Sequence, residues 1–146
     1  MDNATYDPLF AAFAVPARER LTELAGLLTA RFGHEFTPVE EVDHDIERGM
    51  CFARKEDPTL FVELMLTDGD ERGFEGAGLL MTCSTRLSGL VWVPFNFSEK
   101  VGTNDPVEIK RRLDVLGTEM SVIAEHIQVE WLEIETEATQ PQQMQS

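Results

Sequence analysis

The side chains that could act as nucleophiles or general bases are two cysteines and three histidines: Cys51, Cys83, His34, His44 and His126. A catalytic cysteine needs a lowered pKa, which a helix N-terminus or a neighbouring cation supplies. Both cysteines instead lie in segments whose pattern predicts strands, with apolar residues beside them. We therefore expect reduced thiols that pack as small hydrophobic side chains, and a protein that is not an enzyme.

Two short acidic motifs contain oxygen ligands of the kind that metal ions bind. In an extended Asp43-His44-Asp45 segment the carboxylates share a face and the imidazole points away, whereas metal ligands must converge. Residues 68–73 begin like a calcium loop, with acids at positions one and three and glycine at position six. Arg72 at position five and Leu79 at position twelve break that pattern. The sequence thus predicts no metal and no cofactor, and it predicts a mobile hairpin loop at 68–73.

Charge is the dominant property of the chain. It has 12 basic and 27 acidic side chains in 146 residues, which gives a formal net charge of -15. Residues 113–146 contain seven carboxylates and no lysine or arginine. Such a charge repels nucleic acid and anionic membranes and speeds encounter with basic partners. We therefore expect a basic protein partner, with no direct binding of nucleic acid and no membrane association.

The acidic side chains expected to contact that partner fall in the segment 35–47, in the loop after residue 67 and near the C-terminus. They are Glu40, Glu41, Asp43, Asp45, Glu47, Asp68, Asp70, Glu71, Glu130 and Glu133. The leading hypothesis is a non-enzymatic module that masks a basic protein, as inhibitors, immunity proteins and antitoxins do. A nucleic-acid-binding protein is one such target, because its positive surface would attract a mimic of nucleic-acid charge.

Length and composition fit one α+β domain over residues 1–137. The 42% of hydrophobic residues, with nine Phe and two Trp, are enough to build a core. The polar, glutamine-rich residues 138–146 are predicted to be a disordered tail. Met1-Asp2-Asn3 is not the start of a secretory signal, and no apolar run approaches the ~20 residues that span a bilayer. The cytoplasm is the expected location.

Helical periodicity marks both ends of the chain. Asp7-Pro8 is typical of a helix start, and Pro16 is expected to end that helix and begin a second one that stops at Gly33. Near the C-terminus Asp105 and Pro106 predict a long amphipathic helix, whose capping box Glu108 completes. Residues 127–137 either continue this helix, which we favour, or form a last strand.

Between the helices the hydrophobic period changes to two. Four strands are predicted over residues 49–55, 59–67, 78–85 and 90–97, and their short connections imply an antiparallel meander. Pro94 places the last strand at a sheet edge or at a bulge, and residues 35–47 form an acidic connection with at most a short edge strand. The expected fold is a two-layer α+β domain with N-terminal helices, a four-stranded antiparallel sheet and a long C-terminal amphipathic helix.

The central strands are apolar on both sides. Phe61, Met65, Leu80 and Trp92 are expected to share the sheet face that the helices leave open. Either residues 9–13 or another chain must cover this face. The sequence therefore predicts an apolar interface there and a possible homodimer.

The order of these patterns resembles that of type III secretion chaperones. The corresponding pieces are a helix at 18–32, a strand meander at 49–84 and a C-terminal amphipathic helix at 113–132 that ends near Trp131. The resemblance implies a homodimer that holds a secreted effector in a non-globular state, which is the alternative function. The chain departs from the family at residues 85–89, where the predicted third and fourth strands are joined by a turn instead of a helix.

Overall fold

The architecture is given by a computed structural model that describes residues 1–45, 47–55, 60–87 and 89–138. The fold is α+β, with a helix at the N-terminus, an antiparallel sheet in the middle and helices at the C-terminus. The elements are α1 (Asn3–Phe32), β1 (Glu40–Asp43), β2 (Glu47–Ala53), β3 (Leu60–Asp68), α2 (Gly69–Arg72), β4 (Ala77–Leu87), β5 (Leu90–Lys100), α3 (Pro106–Leu116), a 3-10 turn (Gly117–Glu119) and α4 (Met120–Ala138).

The sheet has five strands in the order β1-β2-β3-β4-β5, and each strand is antiparallel to its neighbours. The prediction of a four-stranded sheet is therefore wrong by one strand, β1, which lies in the predicted acidic connection. An edge strand of four mostly exposed residues is held by main-chain pairing to β2 and needs no apolar alternation. This is why the hydrophobic pattern underestimates the sheet.

Alternate residues of the central strands enter one core together with the buried side chains of α1, α3 and α4. On β3 these residues are Leu60, Val62, Leu64 and Leu66, and on β4 they are Leu79, Met81 and Cys83. The period of two that identified these strands in the sequence thus corresponds to the core-facing side of the sheet. The helices contribute Leu9, Phe10, Phe13, Leu21, Leu24, Leu28, Ile109, Leu113, Ile123, Ile127 and Trp131.

A single helix replaces the two N-terminal helices that the sequence predicted. Asp2, not Asp7, caps α1 by accepting the N–H of Thr5 at 2.9 Å, and the helix runs through Pro8 and Pro16. An interior proline costs about 3 kcal/mol, but burying one large apolar side chain contributes about 1.5–3 kcal/mol and α1 buries several. The continuous apolar stripe therefore outweighs the local preference of proline. The predicted stop is confirmed, because Gly33 ends α1 in the left-handed conformation.

The C-terminal helix begins at the predicted Asp105 cap, but the predicted capping box is absent, because the Asp105 N–H donates to Thr103 Oγ1 and not to Glu108. Asp105 caps α3 by accepting the N–H of Val107 at 3.0 Å. The helix is also interrupted. The 3-10 turn then separates α3 from α4 at Gly117, where the guanidinium of Arg20 packs against the backbone. An added Cβ on Gly117 would lie only 2.7 Å from Arg20 Nη1. The favoured alternative for residues 127–137 is confirmed, because all of them lie in α4.

None of the helices in the described part of the chain has both the length and the apolar character needed to cross a bilayer. Apart from Ala138, the last residue of α4, the predicted tail lies outside the described residues.

Candidate protein-binding surface

Two of the predicted contact acids, Glu41 and Glu47, form ion pairs with arginine side chains of the sheet and of α2. Arg48 Nη2 donates to Glu41 Oε1 at 3.0 Å, which links β2 to β1. Arg72 Nη2 donates to Glu47 Oε2 at 2.6 Å, which links α2 to β2. The positive partners of these carboxylates are already supplied by the chain, so both acids contribute less to an outward negative field than the sequence suggests.

The acids of residues 68–73 also have internal roles. The Met1 ammonium lies 3.1 Å from Asp68 Oδ2 and 2.6 Å from Asp70 Oδ2, and these hydrogen bonds, the one to Asp70 first, raise the pKa of the amine to about 10. Asp68 in addition caps α2 by accepting the N–H of Asp70 at 2.9 Å. In place of the expected mobile hairpin loop, this segment forms a one-turn helix that ends at Gly73. Glu71 remains exposed.

Asp43, His44 and Asp45 form the hairpin turn between β1 and β2. The Asp45 N–H donates to Asp43 Oδ1 at 3.2 Å, and the His44 N–H donates to the Glu47 carbonyl at 2.8 Å. Asp45 adopts a φ of 58°, a left-handed conformation that Asp tolerates better than most residues. Both aspartates are exposed, as is Glu40 in β1, so these three predicted contact residues face solvent on one hairpin.

The carboxylates along α4 differ from those near the hairpin. Within the described residues, no basic side chain forms an ion pair with Glu119, Glu125, Glu130, Glu133 or Glu137. α4 itself contains no lysine or arginine at any position. The carboxylates of this helix are therefore not neutralised by ion pairs among the described residues, and their charge adds to an outward negative field.

Contacts of α4 with its neighbours show which of its faces is open. On one flank Arg31 Nη1 of α1 donates to Gln128 Oε1 at 2.9 Å. On the other flank the ring of His126 lies edge-on to Phe95 of β5, with the ring centroids 5.4 Å apart. The side of α4 that carries His126 therefore runs along β5, away from α1.

Four glutamates follow this β5-facing side of α4. Glu130, Glu133 and Glu137 lie 4, 7 and 11 residues after His126, which is the spacing of one helical face. Glu119, in the 3-10 turn, lines a cavity of about 260 Å³ together with Phe97 and Glu99 of β5. We call Glu119, Glu130, Glu133 and Glu137 the acidic flank. Glu125 lies three residues before Gln128 and so belongs to the other side of the helix.

The acidic flank borders an open edge of the sheet, since β4 is the one neighbour of β5 among the described strands. The Val101 N–H donates to the Ala77 carbonyl at 2.9 Å, beside the pair formed by Lys100 and Gly78. In an antiparallel pair the main-chain groups of successive residues point alternately toward and away from the partner strand. The main-chain groups of Asn96, Ser98 and Lys100 therefore point outward, and these residues are exposed.

A bulge interrupts β5 at Pro94. Cys83 pairs with Phe95 but Thr85 pairs with Trp92, so Pro94 and the residue before it together oppose a single residue of β4. Both alternatives predicted for Pro94 are confirmed, because β5 is an edge strand and carries a bulge there. Proline has no N–H to donate to a ladder, so it is tolerated at a bulge on an edge strand, where the ladder is already interrupted.

The four predicted apolar interface residues do not share one face. Met65 pairs with Leu80, and both lie with Phe61 on the sheet face opposite the core. Trp92 pairs with Thr85 on the core-facing side, so its expected position is wrong. The bulge adds one residue to β5, and this reverses the alternation that the sequence pattern assumed.

The open face is also less apolar than expected. Met65 is fully buried, partly because Gly49 beside it has no side chain, and Phe61 and Leu80 are half-buried. Residues 9–13 do not cover this face, because their apolar side chains enter the core on the other side of the sheet. Exposed apolar side chains are instead concentrated at the start of β5, where Leu90, Val91 and Val93 are 58%, 63% and 52% exposed.

The surroundings of the two candidate nucleophilic thiols raise their pKa values. Cys51 pairs with Glu63 across β2 and β3, and His44 Nε2 lies 3.3 Å from Glu63 Oε2. Burial, together with the carboxylates of Glu40 and Glu63, raises the pKa of the Cys51 thiol, whereas a nucleophile needs a lowered pKa. Burial raises the pKa of the Cys83 thiol to about 12. Both thiols are thus held in their protonated form.

Within the described residues, no group of three or more His, Cys, Asp or Glu side chains converges as a metal site would.

The cavity beside the acidic flank is also lined by Arg111 and Arg112 of α3. Glu108 binds both guanidinium groups, and these bonds, the one from Arg111 first, lower the pKa of its carboxyl to about 2. Arg112 is paired with Glu99 as well, so the cations at this cavity are engaged within the protein.

Of the acidic flank, the predicted contact residues include Glu130 and Glu133 but not Glu119 or Glu137, and the β5 edge was not among the predicted sites. Helical spacing from His126 would have added Glu137. Which flank of α4 faces β5 depends on tertiary contacts, and the sequence does not contain a local signal for them.

Compared with models of protein families, with curated proteins and with solved structures, the chain has no match.

Proposed function

We propose that the protein is a non-enzymatic module that binds and masks a basic surface of another protein, as inhibitors, immunity proteins and antitoxins do. The observation that supports this proposal most is the acidic flank. Its carboxylates form no ion pair among the described residues and lie beside a sheet edge that carries no charged residue from 90 to 98. A basic surface is the complement of such a site.

The charge of the acidic flank favours a function that depends on rapid association with the partner. Carboxylates of one sign on a single helix side create a field that steers a positive partner and accelerates encounter. A nucleic-acid-binding protein is a suitable target, because its own positive surface would be blocked by the flank. In this proposal the protein acts in the cytoplasm, as a two-layer domain, without binding nucleic acid or membranes itself.

The flank is tested by two variants of equal charge. One replaces the four glutamates of the acidic flank by glutamine. The control variant replaces four exposed acids at the β1–β2 hairpin and α2 by their amides: Glu40, Asp43, Asp45 and Glu71. Because each variant loses four carboxylates, a difference between them reports position and not net charge.

The wild-type protein and both variants are immobilised and exposed to an extract of the native host, and the retained proteins are identified by mass spectrometry. We expect basic proteins on the wild type and the control variant, and their loss from the flank variant. Equal retention on all three would assign binding to the general field instead of the flank. Retention of no basic protein by the wild type would refute the proposed function.

A second candidate, a secretion-type chaperone, gains support from one observation. With β1 counted, the order of elements places the short helix α2 between the third and fourth strands. The sequence pattern did not predict β1, so the chaperone helix was sought at residues 85–89, after the wrong strand. α2 has only four residues. Multi-angle light scattering separates the two candidates, since the chaperone requires a stable homodimer and an unfolded client and the masking module requires neither.

A further inference from the structure

We propose that the outer edge of β5 binds an extended basic segment of the partner, which adds to the sheet as a sixth strand. This inference deepens the proposed function and rests on it, because the acidic flank supplies the charge that selects the segment. The edge supplies the main-chain hydrogen bonds, which are the source of affinity when a peptide adds to a sheet.

The two edges of the sheet differ in a way that assigns the added strand to β5. β1 is four residues long, and three of its residues are carboxylates, which is a common protection of an edge against pairing. β5 is 11 residues long and carries no charged residue from 90 to 98; its own edge protections, the bulge at Pro94 and the side chain of Lys100, lie at the two ends of the segment 95–99. After the bulge, Asn96, Ser98 and Lys100 present outward N–H and C=O groups that have no main-chain partner among the described residues.

The neighbourhood of β5 specifies the side chains of the segment. In an added strand, alternate side chains point to the two faces of the sheet. Those on the helix side would lie beside Phe95 and Phe97 and under the acidic flank. Lysine or arginine suits these positions, since the aliphatic stem packs on the rings while the charged group reaches a carboxylate. Those on the other side would lie beside Asn96 and Ser98, where small polar or β-branched residues fit.

The same charges disfavour a second copy of this chain as the occupant. In a symmetric pair of β5 edges, the acidic flank of one protomer would face the acidic flank of the other across the seam. Like charges brought together in this way oppose association. The glutamates of the acidic flank therefore oppose pairing of two β5 edges and at the same time attract a basic strand.

The probe is a fluorescently labelled peptide of four Lys-Val repeats, and a peptide of four Glu-Val repeats is the charge control. Binding is measured by fluorescence anisotropy at low ionic strength. Ser98→Pro removes an outward N–H and places a ring at the edge, without removing a bond to β4. Glu130→Gln with Glu133→Gln reduces the charge of the flank by two, and Glu125→Gln is a single-charge control on the other side of α4.

We expect the Lys-Val peptide to bind and the Glu-Val peptide not to bind. Ser98→Pro should weaken binding at least tenfold, the double flank variant about fivefold, and Glu125→Gln not at all. If Ser98→Pro leaves binding unchanged while the flank variant weakens it, strand addition is wrong and the proposed function stands. If neither weakens it, both are wrong. Equal binding of the acidic peptide, or a dimer of the free protein that Ser98→Pro dissociates, also overturns the proposal.

A second readout does not depend on the folding of Ser98→Pro. Hydrogen exchange of the wild-type protein is measured with and without the Lys-Val peptide. The amides of Asn96, Ser98 and Lys100 should exchange at least tenfold more slowly in the complex, because an added strand would accept their hydrogen bonds. Unchanged exchange at these three amides in a saturated complex would exclude the sixth strand.

Discussion

Replacing Tyr6 by phenylalanine tests the contact that joins α1 to the sheet. The Tyr6 hydroxyl donates to the Leu66 carbonyl at 2.6 Å and accepts the Arg48 N–H at 3.0 Å, and these two residues face each other in β3 and β2. The variant retains the ring, which is 8% exposed and stacks on Phe10. It therefore removes one hydroxyl from an interior site with little change in packing.

The expected loss follows from the partners that the hydroxyl leaves behind. A buried group without its hydrogen bond costs about 1–3 kcal/mol. Water can reach the half-buried Arg48, so the Leu66 carbonyl dominates the loss, and we expect the free energy of unfolding to fall by about 1–3 kcal/mol. For a chain of this size, 1 kcal/mol corresponds to a change in Tm of about 2–4 °C. Urea unfolding followed by circular dichroism measures the difference at pH 7.

Thr22→Val is the matched control, because it removes the hydroxyl that Thr22 donates to the Arg18 carbonyl on the exposed side of α1. This variant should stay within about 0.5 kcal/mol of wild type. Burial raises the pKa of Tyr6 from its ordinary value of 10 to about 12. The contribution of the protonated hydroxyl to the free energy of unfolding is therefore complete below pH 10 and is lost as the pH rises through 12. A Tyr6 variant as stable as the Thr22 control would refute this reasoning.

Two further predictions concern single positions in β2 and α3. Gly49→Ala should destabilise the protein by about 3 kcal/mol or more in urea unfolding, because its Cβ would lie 2.1 Å from the Leu64 carbonyl oxygen. Gly26→Ala, in open space on α1, should instead stabilise by about 0.5–1 kcal/mol, and equal effects would contradict the packing at Gly49. The ion pairs that lower the pKa of Glu108 from 4.5 to about 2 stabilise the fold above pH 4.5, and this contribution is lost as the pH falls toward 2. Glu108→Gln should remove that part of the acid dependence, and identical acid-unfolding curves would exclude it.

The sequence predicted the elements whose signals are local and missed what tertiary packing decides. The strands with a period of two and the Asp105 cap are local features, and both are present. The break expected at Pro16 is absent, because the apolar stripe of α1 runs on both sides of it and one core buries the whole stripe. The preference of proline for helix ends is a local property, and it does not include the free energy gained by burying the apolar side chains of α1 in the core.

The direction of the side chains along β5 was predicted wrongly on one side of the bulge at Pro94. The sequence identified Pro94 as an edge or bulge position, yet the assignment of Trp92 to the open face assumed an unbroken alternation. The bulge inserts one residue and so reverses every side chain on the far side of it. Patterning reveals that a bulge is needed but does not give its register.

The candidate site could be predicted only as far as its charge. Composition identifies the acidic surface, but it does not distinguish Glu47, which binds Arg72, from Glu133, which has no ion pair among the described residues. Those pairings join residues far apart in the chain. The position of the acidic flank beside β5 likewise depends on the contact between His126 and Phe95.

Steering of a basic partner by the acidic flank is tested by measuring the association rate as a function of salt. Stopped-flow mixing with the captured partner should show a rate that falls steeply as ionic strength rises past ~0.1 M, where the screening length is about 10 Å. The flank variant should associate slowly with little salt dependence, while the equal-charge control variant should behave like wild type. An association rate that does not change with salt would contradict the account.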